Sequence, residues 1–332
     1  MVVGSVSRGC QVVVIGAGPG GYVAAIRLAQ LGKDVILVEK APTLGGVCLN
    51  VGCIPSKAMI HASQLAHEVQ HAENMGLSVN DLKVDLPKMV AWKDGIVERL
   101  TSGVAFLCKQ NGVEVVQGSA EFLSDRSLVV TSEEGRAEIE FEQAVIATGS
   151  RPMEIEGFAH DGVKVIGSTE ALSLQSVPER MVVIGAGYIG LELGSVYAKL
   201  GSKVSIVEFL PKVAPDLDPE VGKALTRQLK KLKIKLHLSH RAESFETGDP
   251  SIVIARGPND EELRLETDVV MMTVGRVPNV EGLGLESAGV VTNDKGFITV
   301  DDRMRTSTAG IFAIGDVYKR QAQGGAGSRS GG

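Results

Sequence analysis

The sequence predicts an α/β protein with two Rossmann-like parallel-sheet units, the second inserted in the first. Three observations carry that prediction. One segment of strand, glycine turn, helix and strand occurs twice. A shorter echo follows each copy. The composition is rich in glycine (40 of 332 residues) and poor in aromatics (4%), as tight turns between short apolar strands demand.

The first copy is "VVVIGAGPGGYVAAIRLAQLGKDVILVEK", residues 12–40, and the second is "MVVIGAGYIGLELGSVYAKLGSKVSIVEF", residues 181–209. They align without a gap at an offset of 169. Gly16, Gly18 and Gly21 meet Gly185, Gly187 and Gly190, and Glu39 meets Glu208. Val12–Ile15 and Val182–Ile184 are apolar runs bounded by glycine, as buried parallel strands are. Each acid closes its second strand 18 residues past the third glycine. This is the dinucleotide fingerprint: the glycines make the turn, admit the pyrophosphate and let helix pack on strand. The helix N-terminus offers unpaired N–H groups to phosphate, and the acid accepts from an adenosine ribose. Glu208 would repel a 2′-phosphate, so the second site favours NAD over NADP.

The echo pairs "VIATGSRP" (145–152) with "MTVGRVP" (272–278), each a strand returning to its sheet and ending in a glycine turn. From Glu39 to Gly149 the first unit carries 43 more residues than the second does from Glu208 to Gly275. Cys48 and Cys53 lie in that excess. The expected domains are residues 10–150 plus 281–317 and, inserted between them, residues 151–280. "RPMEIEGF" and "GRVPNVEGL" are the crossovers.

A net charge of −6 gives no general attraction to nucleic acid or acidic membranes. No apolar run approaches the roughly 20 residues of a membrane helix. The start "MVVGSVSRGC" lacks a secretory pattern. Four cysteines are not a disulfide scaffold, so a reducing cytoplasm is the expected compartment. There, a close pair such as Cys48 and Cys53 is catalytic, metal-binding or coincidental. Zinc would need two more ligands, and Cys10 and Cys108 stand alone. His67 and His71 share a helical face, but Glu68, Glu73 and the polar flanks read as a solvated stripe. No metal is expected. Two NAD molecules on one chain would have little to do for each other. A flavin on one unit and NAD on the other make a hydride path, with the cysteine pair as a third station.

"GGVCLNVGCIPSKAM", residues 45–59, resembles the redox-disulfide motif of the pyridine nucleotide–disulfide oxidoreductases. "LNVGCIPSK" is most similar to the dihydrolipoamide dehydrogenases among them. "GAGYIGLELG", "VGRVPNVEGLGLESAGV" and "TAGIFAIGD" are similar to later motifs of that family. The resemblance runs from about Val12 to Asp316; Val47 departs from the family's more usual threonine. It implies a three-layer FAD/NAD-binding fold that passes electrons from dihydrolipoamide, or a lipoyl-domain substrate, through a Cys48–Cys53 disulfide and FAD to NAD. Cys48 would be the interchange thiol. Cys53 would stack on the flavin, at a helix start that favours a thiolate. Pro55 suits that first turn. Lys57 would sit by the flavin and pair with Glu192. The bland reading of both is surface charge. Glu39, Thr148, Gly149 and Asp316 would hold FAD; Gly275 and Arg276 would line the NAD site. Without the resemblance, Thr148, Asp316 and Arg276 read as an ordinary turn residue, a loop acid and a surface arginine.

The family's base, a histidine held by glutamate, belongs to a C-terminal dimerisation domain that the resemblance does not reach. The full-length homodimer would serve a 2-oxo acid dehydrogenase complex. Residues 318–332 read as a disordered, non-family tail; "DVYKRQ" is what the translated end of a transposon used in shotgun libraries would give, and a natural truncation is the competing account. The expectation is a fragment, poorly active on lipoamide. The alternatives are a non-catalytic flavin- and nucleotide-binding module, and a glutathione or mercuric reductase-like relative with NADPH preference, against which Glu208 argues.

Overall fold

The structure is a computed structural model and describes residues 7–315 apart from position 216. The chain opens with β1 (Ser7–Ile15), α1 (Pro19–Gln30) and β2 (Val35–Glu39). All five residues of β2 are buried, as a strand covered on both faces requires. Pro19 lies in the first turn of α1, where its missing N–H costs nothing. The helix ends at Gly32, whose φ is +79° and whose N–H donates to Ala29 O at 2.9 Å. Next come α2 (Gly46–Asn50), α3 (Cys53–Gln70), a 3₁₀ turn (Glu73–Met75) and α4 (Leu86–Gln110). Then follow β3 (Glu114–Gln117), β4 (Ser119–Phe122), β5 (Ser127–Ser132), β6 (Gly135–Ile146) and β7 (Ser150–Pro152). The second copy of the repeat is preceded by β8 (Val165–Ile166) and α5 (Ser168–Ala171). It forms β9 (Arg180–Ile184), α6 (Tyr188–Lys199) and β10 (Lys203–Glu208). After it come α7 (Pro219–Lys231), β11 (Lys235–Leu238), β12 (Arg241–Glu246), β13 (Ser251–Arg256) and β14 (Glu262–Thr267). β15 (Val269–Met272), β16 (Arg276–Pro278) and β17 (Ile311–Ala313) complete the order.

Two compact units emerge. One comprises the described residues up to Asn50, Glu98–Arg151 and those from Val277 on; the other comprises Val51–Val97 and Pro152–Arg276. The first unit's sheet has the order β3-β2-β1-β6-β5-β4, with β17 beside the end of β6. β1, β2, β3, the end of β6 and β17 run parallel. Ile15 lies opposite both Val38 and Ile146. The second unit repeats this as β11-β10-β9-β15-β8, all parallel, with Ile184 opposite Val207 and Met272. In both sheets the strand order reverses beside the glycine turn. That opens a crevice at the strands' carboxyl ends, where dinucleotides bind in such folds. The antiparallel β12-β13-β14 meander is a separate sheet of the second unit.

Alternation along the second sheet assigns its two faces. Met181, Val183, Val204, Ile206 and Met271 pack with Met59 of α3, Leu86 and Val90 of α4, and α6. Val182, Ile184, Val207 and Val270 pack with Val253 and Ala255 of the meander. Residues 51–97, read from sequence with the first nucleotide fold, group with the second. The reason is the apolar face of α3, where Met59 is 1% exposed. The chain also returns at Arg276/Val277 rather than after residue 280. Asp316 and the tail 318–332 lie outside the described residues. Among the described residues, no helix is long and apolar enough to cross a membrane.

Candidate active site

The two glycine turns are built alike. Gly16 has φ +97° and Gly185 +103°. A Cβ on Gly16 would stand 2.5 Å from Ala147 O, and one on Gly185 2.6 Å from Thr273 O. A Cβ on Gly21 or Gly190 would overlap the carbonyl oxygen of the triad's first glycine. These four glycines serve the protein's own packing. The middle glycine does not. A Cβ on Gly187 would meet nothing within 4 Å, and one on Gly18 only Gly46 Cα at 3.9 Å. The space in front of them suits a pyrophosphate. Gly18 and Gly187 cap α1 and α6 without a side-chain hydrogen bond, and neither helix has an acid in its first turn. Those N–H groups are left for an anion.

Glu39 and Glu208 are each 9% exposed. Glu39 accepts from Ala17 N at 2.7 Å and from Ala41 N at 2.8 Å. Glu208 accepts from Ala186 N at 2.6 Å and from Leu210 N at 2.7 Å. Each carboxylate therefore ties the glycine turn to the end of its own strand. Its remaining lone pairs are aimed by that clamp, which suits a ribose diol. The donor and acceptor set of both turns fits the dinucleotides the sequence implies.

The returning strands differ in detail. Gly149 has φ +66° and Gly275 +137°. Thr148 donates its hydroxyl to Asn279 O at 2.7 Å. Asn279 donates back, from Nδ2 to Thr148 O and from its backbone N to Gly149 O, both at 3.0 Å. Asn279 thus holds the Thr148–Gly149 turn, a role the sequence reading missed. The "RVPN" that follows Gly275 carries the only hint of it. Gly275 O accepts from Met153 N at 3.0 Å. Arg276 opens β16, half-buried.

The cysteine segment begins in the first unit. Gly45 donates to Ala17 O at 2.8 Å, and a Cβ on Gly46 would lie 2.6 Å from Gly18 Cα. The paired glycines let the cysteine segment press against the first nucleotide turn. Asn50 closes α2 by donating from Nδ2 to Gly46 O at 2.9 Å and Leu44 O at 3.1 Å. Cys48 is half-buried on that short helix. Burial, and then the neighbouring Cys48, raise the Tyr22 phenol above its ordinary range. Cys53 belongs to the second unit and is the exposed first residue of α3. One turn on, Lys57 Nζ donates to Glu192 on α6 at 2.7 Å and 3.0 Å, within that same unit. The pair is open to solvent, at 61% and 33% exposure, so it adds at most about 1 kcal/mol to stability. The apolar contacts of α3 with α6 hold the helices; the pair fixes where an ammonium stands. The His67 and His71 rings lie 4.2 Å apart, tilted by 41°, and His71 Nδ1 lies 2.8 Å from His67 O.

Two turns built for dinucleotides, with cysteines beside one of them and at a helix start, define a redox protein of two nucleotide sites. The family described as "Pyridine nucleotide-disulphide oxidoreductase" matches residues 10–330, a span reaching past the motifs that end near Asp316. A dihydrolipoyl dehydrogenase of Halobacterium salinarum is 47% identical over 321 residues, covering 96% of this chain and 67% of that protein. One of Bacillus subtilis is 44% identical over 320 residues, covering 96% and 68%. The Cu(II) complex of the HOCl-induced flavoprotein disulfide reductase RclA from Escherichia coli superposes with a TM-score of 0.82 at 29% identity. That match covers 97% of this chain and 68% of the other. The chain belongs to the pyridine nucleotide-disulphide oxidoreductases, enzymes that work with FAD and NAD(H). It spans about two thirds of the length of these relatives.

Proposed function

We propose that this chain carries the electron route of a dihydrolipoamide:NAD oxidoreductase. FAD is held at the first glycine turn by Gly16, Gly18, Gly21, Glu39, Thr148 and Gly149. NAD is held at the second by Gly185, Gly187, Gly190, Glu208, Gly275 and Arg276. The observation that carries the reading is the order along α3: Cys53 at its first residue, and Lys57 one turn later, fixed by Glu192.

One thiolate of the dithiol attacks Sγ of Cys48 in a Cys48–Cys53 disulfide. The S–S bond breaks, a mixed disulfide forms on Cys48, and Cys53 leaves as a thiolate at the positive end of the α3 dipole. The second substrate thiol then closes the substrate disulfide and frees Cys48. Bound FAD supplies the two-electron exchange between this dithiol and the nicotinamide. Lys57 holds a cation beside the route, and Glu192 keeps it there. The base that takes the substrate proton, a homodimer, and service to a 2-oxo acid dehydrogenase complex belong to the same reading of the native enzyme. The relatives' names support the substrate.

An anaerobic reductive titration of the FAD-loaded chain tests it. The wild type takes up about four electrons, two at the disulfide and two at the flavin. Cys48→Ser and Cys53→Ser each take up about two, at the flavin alone. Equal uptake by wild type and both variants would sink the relay.

A further inference from the structure

The charge around α7 of the second unit is not distributed like the rest of the chain. Between Val221 and Ala242 there are seven lysines and arginines and no carboxylate, in a protein of net charge −6. Helix α7 turns Leu225 and Leu229 into the core, joined there by Leu232 just past its end. Lys223, Arg227, Lys230 and Lys231 are exposed on it. Lys223, Arg227 and Lys231 stand at i, i+4 and i+8, so like charges neighbour one another along one face, an arrangement that weakens a helix. Lys233 follows in the turn and Lys235 opens β11, the outermost strand of its sheet. Among the described residues, none of these six cations has a carboxylate within salt-bridge distance, and neither has Lys212.

Ordinary explanations cover part of this. A lysine on an edge strand discourages strand pairing, which accounts for Lys235. Cations in the last turn suit the helix dipole, which accounts for Lys230 and Lys231. Neither reason covers Lys223 and Arg227 in the first two turns and middle of α7. Glu220, in the first turn, is the only acid on α7; beyond it the exposed face carries cations alone, whereas a solvated helix face usually alternates its signs.

A cavity of about 360 Å³ opens beside the same face. Its rim carries Lys212, Lys223 and Arg227 and one carboxylate, Asp218, which is occupied as the N-cap of α7 by Glu220 N at 2.8 Å; its apolar lining includes Val213, Leu217 and Leu238. A helix of 13 residues is about 20 Å long, so the cationic stripe is longer than a small anion needs. We propose that α7 and its flanks are a docking surface for an acidic segment of a partner protein, one aromatic or large aliphatic side chain of which enters the cavity. Carboxylates on either side of that anchor face Lys212, Lys223, Arg227 and Lys231. A nucleic acid fits less well: the apolar lining offers nothing to a phosphate chain, and the rest of the surface repels a polyanion.

The test is fluorescence anisotropy on the full chain, independent of catalysis. The probe is a labelled peptide of about twelve residues, with about six glutamates around one phenylalanine. Binding should be measurable at about 50 mM salt and weaken sharply by about 200 mM. Lys223→Glu with Arg227→Glu and Lys231→Glu should weaken it by about tenfold or more. Reversing the exposed Lys33, Lys83 and Lys109 should change it less than about twofold. Replacing the peptide's phenylalanine by serine should cost about tenfold on the wild type. Should the charge-reversed chain fail to fold, the glutamine versions of the same three positions should still weaken binding about threefold. No binding, equal binding by the two charge sets, or indifference to the phenylalanine would overturn the proposal. So would tighter binding of a single-stranded DNA of equal charge.

Discussion

Gly187 and Gly190 lie three residues apart and answer to different demands. Gly190 is needed by the fold, because its missing Cβ lets α6 close on the carbonyl of Gly185. Gly187 has a negative φ of −74° and open space where a Cβ would be. An alanine fits there without strain and removes some freedom from the unfolded chain. Gly187→Ala should therefore leave the unliganded stability within about 0.5 kcal/mol of wild type. It should weaken NADH binding by about tenfold or more, because the methyl occupies the space for the pyrophosphate. Gly190→Ala should instead destabilise the unliganded chain. Urea unfolding and NADH titration of both variants check this. Loss of stability in Gly187→Ala without loss of affinity would mean that the turn is structural only. The distinction between the two glycines was invisible in the motif, which writes both as G. It needs the position of the Thr273 strand, more than 80 residues downstream.

At the scale of elements, α3 shows how much of the site depends on packing that carries no chemistry. Cys53 and Lys57 lie on its exposed side and Met59 on its buried side, 1% exposed. Met59→Ala should cost about 2–4 kcal/mol, the usual price for emptying a filled core position. Lys57→Gln and Glu192→Gln should each cost under about 1 kcal/mol, since their pair is open to water. Activity should rank the other way, with Lys57→Gln slowing NADH-dependent dye reduction far more than an equally folded Met59→Leu. Melting curves beside initial rates decide it. Helix α3 was legible in sequence as a helix, and its cysteine was legible as its start. Its partner was not. An apolar stripe says that a helix packs, not on what, and the excess residues were grouped with the copy they follow in the chain. The Asn279 clamp on Thr148 was hidden for a similar reason: the two residues are 131 apart, and neither belongs to a periodic pattern. The basic run of α7 is visible in the sequence, but its exposure on one helix face is set by the burial of Leu225 and Leu229.

For the whole molecule, the repeat makes a claim that can be read unit by unit. The offset of 169 residues reappears as matched registers, matched glycine turns and matched acid clamps. These were legible because a fingerprint with fixed spacing specifies backbone geometry, whereas crossings between units follow from side-chain fit alone. If FAD occupies the first turn and NADH the second, each ligand should stabilise its own unit. At a hundredfold excess over Kd, a ligand that binds only the folded state contributes about 2.7 kcal/mol. Hydrogen exchange resolves where that stabilisation falls. FAD should slow exchange in β1, β2 and the end of β6; NADH should slow it in β9, β10 and β15. Glu39→Ala should abolish the first effect and spare the second, since its carboxylate bonds the backbone N–H groups of Ala17 and Ala41. Glu208→Ala should do the reverse. Protection by both ligands in the same strands, or loss of both effects in either variant, would break the assignment of one dinucleotide to each turn. The electron route proposed between them would fall with it, because that route requires two different acceptors on one chain.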